Sequence, residues 1–200
     1  MSNTGQLFVV GTPIGNLKDV TLRAISTLQS VDIILAESVE RTKKLLSHYD
    51  IDAKVISFNK DNEKRKINNA VACLKASKNI ALVSDAGTPC VSDPGFYLLS
   101  NLDEEIKIIP IPGASSITCA LSVSKIPMNG FTFLGFLPKK ENDRKNKLLQ
   151  AYSTELPLCI FESKHRLLDL LEDICSIFGE DAMVGLFRDC LLYTSPSPRD

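Results

Sequence analysis

Short apolar runs alternate along the chain with longer stretches in which apolar residues recur every three or four positions, so strands and helices are predicted in turn. Residues 7–11, 31–36, 54–58, 80–84 and 107–111 read as strands. Residues 19–30, 41–48 and 62–76 read as helices, the first capped by Asp19 and carrying Leu22, Ile25 and Leu28 along one face. Segments 96–102 and 115–123 continue the alternation. This order predicts a mostly parallel sheet with covering helices. The polar, turn-rich stretch Ser124-Lys-Ile-Pro-Met-Asn-Gly130 interrupts it. Beyond it, 131–136 reads as a strand, a basic loop over 138–147 opens a helix, and 158–161, 165–178 and 182–187 read as strand, helix and strand. The expected fold class is α/β in two domains, with a mostly parallel sheet in residues 1–123 and a mixed sheet in 124–189. Residues 190–200 carry two Ser-Pro steps and no periodicity. They read as a non-native tail, which leaves the second domain short of the strands that would close its core.

Three of the strands pass abruptly into turn-formers. The first to note is Ser84-Asp-Ala-Gly-Thr-Pro-Cys-Val-Ser-Asp-Pro-Gly95, with two glycines, two prolines and two aspartates. Leu7-Phe-Val-Val-Gly-Thr-Pro-Ile-Gly-Asn16 and Ile108-Ile-Pro-Ile-Pro-Gly-Ala-Ser-Ser116 make the same transition. Loops at the carboxyl edge of an open α/β sheet are where such folds keep their ligands. Neither GxxxxGK[ST] nor GxGxxG follows the first strand, and Pro13 stands where a phosphate loop would present a backbone N–H. These loops suit a ligand gripped by backbone and small side chains, such as a nucleoside-bearing cofactor without phosphates.

Composition narrows the picture. At 44% hydrophobic and 24% charged residues, 200 residues can bury a real core as one large domain or two small ones. A net charge of −1 offers no bulk attraction to nucleic acid, so any RNA contact must come from a local patch. No apolar run approaches the roughly 20 residues of a membrane span. Six cysteines, none in CxxC spacing, read as reduced thiols of a cytoplasmic protein acting as small core residues. Two histidines and no ligand-spaced cluster argue against a metal site.

Taken together and in order, Thr12-Pro-Ile-Gly-Asn16, Ala36-Glu37, Asn62-Glu63, Ser84-Asp-Ala-Gly-Thr-Pro89, Ser92-Asp-Pro-Gly95, Pro112-Gly113, Gly135-Phe-Leu-Pro138 and Glu162-Ser-Lys-His-Arg166 are informative. Over residues 7–189 the chain resembles the bacterial small-subunit ribosomal RNA (cytidine-2′-O)-methyltransferases, of the tetrapyrrole-methylase superfamily. The resemblance implies the two-domain tetrapyrrole-methylase fold, S-adenosylmethionine as cofactor, 16S ribosomal RNA in the small subunit as substrate, and a homodimer. It also implies a cofactor site at Pro13, Ala86, Gly87, Thr88, Val91, Ser115 and Ser116. Two departures stand out. Where the family continues Ala-Glu with Asp-Thr-Arg, this chain has Ser38-Val-Glu40, with Arg41 following. After Leu186-Phe-Arg-Asp189 the family continues into further strands and helices, whereas this chain enters its tail.

Transfer of a sulfonium methyl to a ribose 2′-hydroxyl needs positioning and a group to take or orient the hydroxyl proton. Glu37, Glu63 and Glu162 are the candidate catalytic carboxylates, each also readable as a cap or a surface acid. Asp85 and Asp93 read as Asx-type supports of the glycine loop. Lys139, Lys140, Arg144, His165 and Arg166 are the candidate substrate-binding residues. A second basic patch comprises Lys60, Lys64, Arg65 and Lys66. Two other readings stay open: a methylase of a small tetrapyrrole or precorrin, and an inactive fragment serving only as a binding or dimerisation module.

Overall fold

The computed structural model describes residues 4–191. Of the expected tail only Cys190 and Leu191 fall inside that range; the rest lies outside the described residues. The chain forms two compact units, one running to Ser116 and taking in Asp189, the other Ile117–Arg188.

In the first unit β1 (Leu7–Val10), β2 (Ile33–Ala36), β3 (Val55–Ser57), β4 (Ile80–Val83) and β5 (Ile108–Ile111) make one sheet in the order β3-β2-β4-β1-β5. All its pairings are parallel, with Leu7 opposite both Ile80 and Ile108. Parallel strands need crossovers, supplied by helices α1 (Leu22–Ser30), α2 (Val39–His48), α3 (Glu63–Lys75) and the short α4 (Phe96–Ser100). Successive residues of a strand point to opposite faces, and the inner strands are covered on both. Ile34, Ala36, Ala81 and Val83 pack on one side with Leu28, Leu45 and Leu46 of α1 and α2. Ile33, Leu35, Ile80 and Leu82 pack on the other with Ile67, Leu74 and Leu98 of α3 and α4. Each fully buried leucine contributes about 1.5–3 kcal/mol of transfer free energy. Because every strand runs the same way, the loops after all of them leave from one edge.

Two details of α1 differ from the sequence-based expectation. Thr21, not Asp19, caps the helix, its hydroxyl accepting the Ala24 N–H at 3.1 Å. Asp19 instead ends a 3₁₀ turn, Leu17–Asp19, that Asn16 caps. Leu22 is 86% exposed, so the helix buries Ala24, Thr27 and Leu28 in its place. Of the cysteines, Cys73, Cys90 and Cys159 are half-buried, while Cys119, Cys175 and Cys190 are exposed and fill no core.

The second unit contains α5 (Ser116–Val123) from its second residue on, β6 (Thr132–Phe136), α6 (Glu141–Tyr152), β7 (Leu158–Phe161) and α7 (Leu167–Phe178). The mixed sheet expected here is corrected: β6 and β7 pair in parallel, as a strand–helix–strand crossover requires. Residues 182–187 are also corrected. They form no strand, and Met183, Val184 and Leu186 are exposed. A strand exists only where a neighbour satisfies its backbone groups, and this segment finds no such neighbour among the described residues. Leu137, Leu148 and Leu170 form the unit's small core. Alongside it α6 and α7 are joined by an ion pair between Arg144 Nε and Asp173, 6% and 5% exposed at the side chains. Lys145 Nζ approaches the other Asp173 oxygen at 3.4 Å.

Removing one partner of a buried ion pair leaves a desolvated charge. Asp173→Ala is therefore expected to destabilise the second unit by about 3–5 kcal/mol, measured as a shift in the urea midpoint against the wild type. A shift near zero would show that Arg144 reaches solvent without cost.

Candidate functional site

The loops after β1, β4 and β5 meet through their backbones. Gly11 N–H donates to Ile111 O at 2.9 Å. A Cβ on Gly11 would stand 2.8 Å from Gly113 N, and one on Gly113 would stand 2.8 Å from the Gly11 carbonyl carbon. Only residues without side chains let the two loops cross at that distance. The next residue, Thr12, pairs with Gly87: Thr12 N–H donates to Gly87 O at 2.9 Å and Gly87 N–H to Thr12 O at 3.1 Å. The buried Thr12 hydroxyl lies within donating distance of Ser84 O at 3.2 Å and Gly87 O at 3.3 Å. Gly87 itself has φ +83°, and Ile14 Cγ2 and Ala114 O flank the place of its missing Cβ at 3.5 and 3.7 Å. Gly87 is thus itself in the contact, and Pro13 and Ser115 are chain neighbours of Thr12 and Ala114 beside it. Ala86, Thr88 and Val91 are exposed, and Pro89 is buried.

Charged side chains hold the same loop farther along. Glu37, at the end of β2, accepts the Asp85 N–H through Oε2 at 3.3 Å. Glu63, in the first turn of α3, accepts the Gly95 N–H through Oε2 at 3.3 Å. Lys60 Nζ donates to Ser92 O at 3.2 Å. Between these fixings Cys90 and Ser92 take positive φ of 71° and 67°, conformations that non-glycine residues seldom adopt. Asp85 is no Asx support: its Oδ2 pairs with Arg41 Nη1 at 3.1 Å, while Oδ1 is buried without a hydrogen bond. Burial pushes the Asp93 carboxyl above the usual carboxylate range, and the Glu37 charge adds to it, against a hydrogen bond from Ser84. Burial likewise raises the Cys90 thiol, helped by the Asp93 and Glu63 charges, which makes it a poor nucleophile.

The departure at 38–40 has a local account. Ser38 caps α2 by accepting the Arg41 N–H at 3.4 Å. Glu40 turns away to pair with Lys44 at 2.9 Å, and the neighbouring Arg41 supplies the positive charge at the loop.

Glu162, Lys139, Lys140, Arg144, His165 and Arg166 belong to the second unit. Two of them are engaged within that unit. Arg144 is 5% exposed and spent on Asp173 and on Lys139 O, which Nη1 reaches at 3.3 Å. Arg166 Nη2 donates to Leu137 O at 3.1 Å and Pro138 O at 2.9 Å, and stands 3.3 Å from Glu162 Oε2. Both guanidiniums brace the β6–α6 loop from within. Glu162 Oε1 accepts the Ser163 N–H at 2.7 Å. Lys139, Lys140 and His165 are exposed. Among the described residues no cluster of histidine, cysteine and acidic side chains is arranged to hold a metal. Thr12, given no role from sequence, ties two loops together. A β-branched hydroxyl closing a central strand was the available signal.

The five-stranded parallel sheet, with the loops after its strands crossing at Gly11, Thr12 and Gly87, marks a class. The chain matches Tetrapyrrole (Corrin/Porphyrin) Methylases over residues 6–190 and belongs to that family. Within it, the chain is similar to proteins named Ribosomal RNA small subunit methyltransferase I. The Escherichia coli O157:H7 relative is 43% identical over 94% of this chain and 66% of its own length. The Thermotoga maritima relative is 46% identical over 88% of this chain and 79% of its own. The chain spans about two thirds of the length of the first of these, 66%. Among solved structures, a conserved hypothetical protein from Aeropyrum pernix K1 superposes with TM-score 0.65 at 16% identity, covering 80% of this chain and 58% of that one. Uroporphyrin III C-methyl transferase from Thermus thermophilus superposes with TM-score 0.60 at 16% identity, covering 86% and 77%. These likenesses share the fold.

Two tests follow from the geometry. Gly113→Ala places a methyl against rigid backbone and is expected to cost about 1–3 kcal/mol, read from thermal unfolding; an unchanged melting temperature would show that the crossing is loose. Asp93 binds its proton more tightly folded than unfolded. Its stabilising contribution is therefore full below the ordinary carboxylate range and is lost as pH rises through the elevated value. Asp93→Asn is expected to gain on the wild type in melting temperature between about pH 4 and about pH 7. A gain in the opposite direction would reverse the assignment.

Proposed function

We propose that the protein is an S-adenosylmethionine-dependent methyltransferase that modifies a cytidine ribose 2′-hydroxyl of 16S ribosomal RNA in the small subunit. The observation that carries this reading is the backbone crossing of the β1, β4 and β5 loops around Gly87. The names of relatives up to 46% identical support the RNA substrate over a tetrapyrrole. The resemblance further supports a cytoplasmic homodimer. Among the described residues no helix is long and apolar enough to cross a membrane.

The residues present fit the cofactor. Gly87 has a left-handed backbone that any larger residue would adopt only under strain, so the loop there presents main chain to a ligand. Proline at 13 and the absence of a phosphate-binding sequence suit a nucleoside carrying no phosphates. Pro13, Ala86, Gly87, Thr88, Val91, Ser115 and Ser116 would hold it. When bound, it supplies a methyl group already activated on a sulfonium.

What the chain adds is placement and proton handling. Glu63 and Glu162 accept backbone N–H groups of Gly95 and Ser163, and we assign them to loop support. Glu37 uses Oε2 on Asp85 N–H, and we assign its Oε1 to orient or take the hydroxyl proton. Lys139, Lys140 and His165 would contact phosphates and ribose without reading sequence.

Calorimetry with S-adenosylmethionine tests the site: saturable binding to the wild type and its loss in Gly87→Arg are expected. Absence of binding in the wild type favours the binding-module reading. Glu37→Gln keeps an acceptor for Asp85 N–H, so it is expected to retain cofactor affinity. Its methyl transfer to small subunits is expected to fall about 10²–10⁴-fold. Full activity in that variant would remove Glu37 from proton handling.

A further inference from the structure

The outer end of the β4 loop leads into an unusual surface. α4 follows Gly95 directly, and its pattern is inverted relative to hydrophobicity: Leu98 is buried, while Phe96 is 70% and Tyr97 44% exposed. α3 packs against α4, and its first turns carry Lys64 and Arg65, both exposed. Lys64 Nζ lies 5.0 Å from the centroid of the Tyr97 ring, a cation–π contact that holds an ammonium beside the aromatic pair. Lys60, from the preceding loop, reaches Ser92 O. Over residues 60–66 four cations face two acids, Asp61 and Glu63, and Glu63 is occupied by Gly95 N–H. An exposed phenylalanine next in sequence to a tyrosine that holds an ammonium has no role in the core.

We propose that Phe96 and Tyr97, with Lys60, Lys64 and Arg65, form a platform for single-stranded RNA, on which an unpaired base stacks while the cations contact flanking phosphates. Aromatic faces accept any base, and neighbouring cations follow the backbone; this pairing is how single strands are held without sequence reading. Charge complementarity favours an RNA occupant over a second copy of the chain, since a self-contact would bring like charges together. The platform sits where the candidate cofactor loop ends and would deliver a strand to it. It rests on the RNA-methyltransferase reading, and deepens it by giving the substrate an unpaired form.

Fluorescence anisotropy of the full chain with a short, unstructured cytidine-rich oligoribonucleotide tests this, alongside sedimentation of each variant. Phe96→Ala, at a surface position, is expected to weaken binding about fivefold or more. The double substitution Lys64→Gln, Arg65→Gln is expected to reduce the slope of log affinity on log salt by about 0.7 per lost phosphate contact. Lys54→Gln, exposed just before β3 at the opposite edge of the sheet, should change neither. Unchanged binding in Phe96→Ala, or no binding by the wild type, overturns the platform. So does conversion of an associated wild type to monomer with RNA affinity per chain unaltered, which makes the patch a contact between copies. Calorimetry separates the two readings. RNA bound through Phe96 without S-adenosylmethionine binding leaves the platform and removes methyl transfer; cofactor binding with no effect of Phe96→Ala does the reverse.

Discussion

Thr12 and Gly87 exchange two backbone hydrogen bonds, at 2.9 and 3.1 Å, and the carboxyl edge of the first unit's sheet depends on that exchange. β1 and β4 are neighbours in the sheet, so their loops leave side by side. Left alone, two such loops would diverge into solvent. The exchange instead extends the contact past the last strand residues, and the Thr12 hydroxyl secures it against the Ser84 and Gly87 carbonyls. On its other side the β1 loop crosses Gly113 without room for a methyl group. Three loops thereby become one backbone surface, with its shape set by main chain and not by mobile side chains. Such a surface is preorganised, which is what the proposed transfer from an activated donor would require of it.

Charge in this region serves architecture first. Glu37 and Glu63 each accept a loop N–H, and Lys60 donates to a loop carbonyl, so the segment from Asp85 to Gly95 is fixed by ionised groups at several points. Hydrogen bonds to charged groups are worth more than neutral ones, and this helps hold Cys90 and Ser92 in positive φ. Concentrating carboxylates has a consequence: Asp93 shares a partly buried space with Glu37 and Asp85, and its neutral form gains. Arg41 offsets part of that negative charge. The sequence places it one position beyond the arginine of the family pattern, and the turn of α2 brings it to Asp85. A substitution that looks like charge reversal at Glu40 is therefore a relocation.

The second unit uses the same residue types differently. Its basic run contains exposed lysines and the inward-facing Arg144, which is paired with Asp173 where it can be shielded from water. Arg166 likewise donates to the carbonyls that shape the loop after β6. Arginine suits this because its planar fork satisfies several acceptors at once. Lysines with flexible stems remain at the surface.

The alternation of apolar runs and amphipathic stretches was enough to place the strands of the parallel sheet and the helices between them, because burial on both faces demands continuous apolar strands and leaves a legible pattern. The turn-formers after three strands marked the loops that meet beyond the sheet, since glycine and proline report backbone constraints directly in the sequence. Local sequence could not say which way a long side chain turns. Arg144 and Lys140 read alike in a basic run, yet one is buried on an aspartate 29 positions away and the other faces water. It could not tell Leu22 from Leu28, or Phe96 from Leu98, because both members of each pair are apolar and only the packed neighbours decide which is covered. Nor could it forbid a strand at 182–187, since strand formation is a property of the pair and not of the segment. What the sequence determined was periodicity and backbone freedom, which are local. What the tertiary structure decided was the partner of each charge and the cover of each apolar face, which depend on residues far apart in the chain.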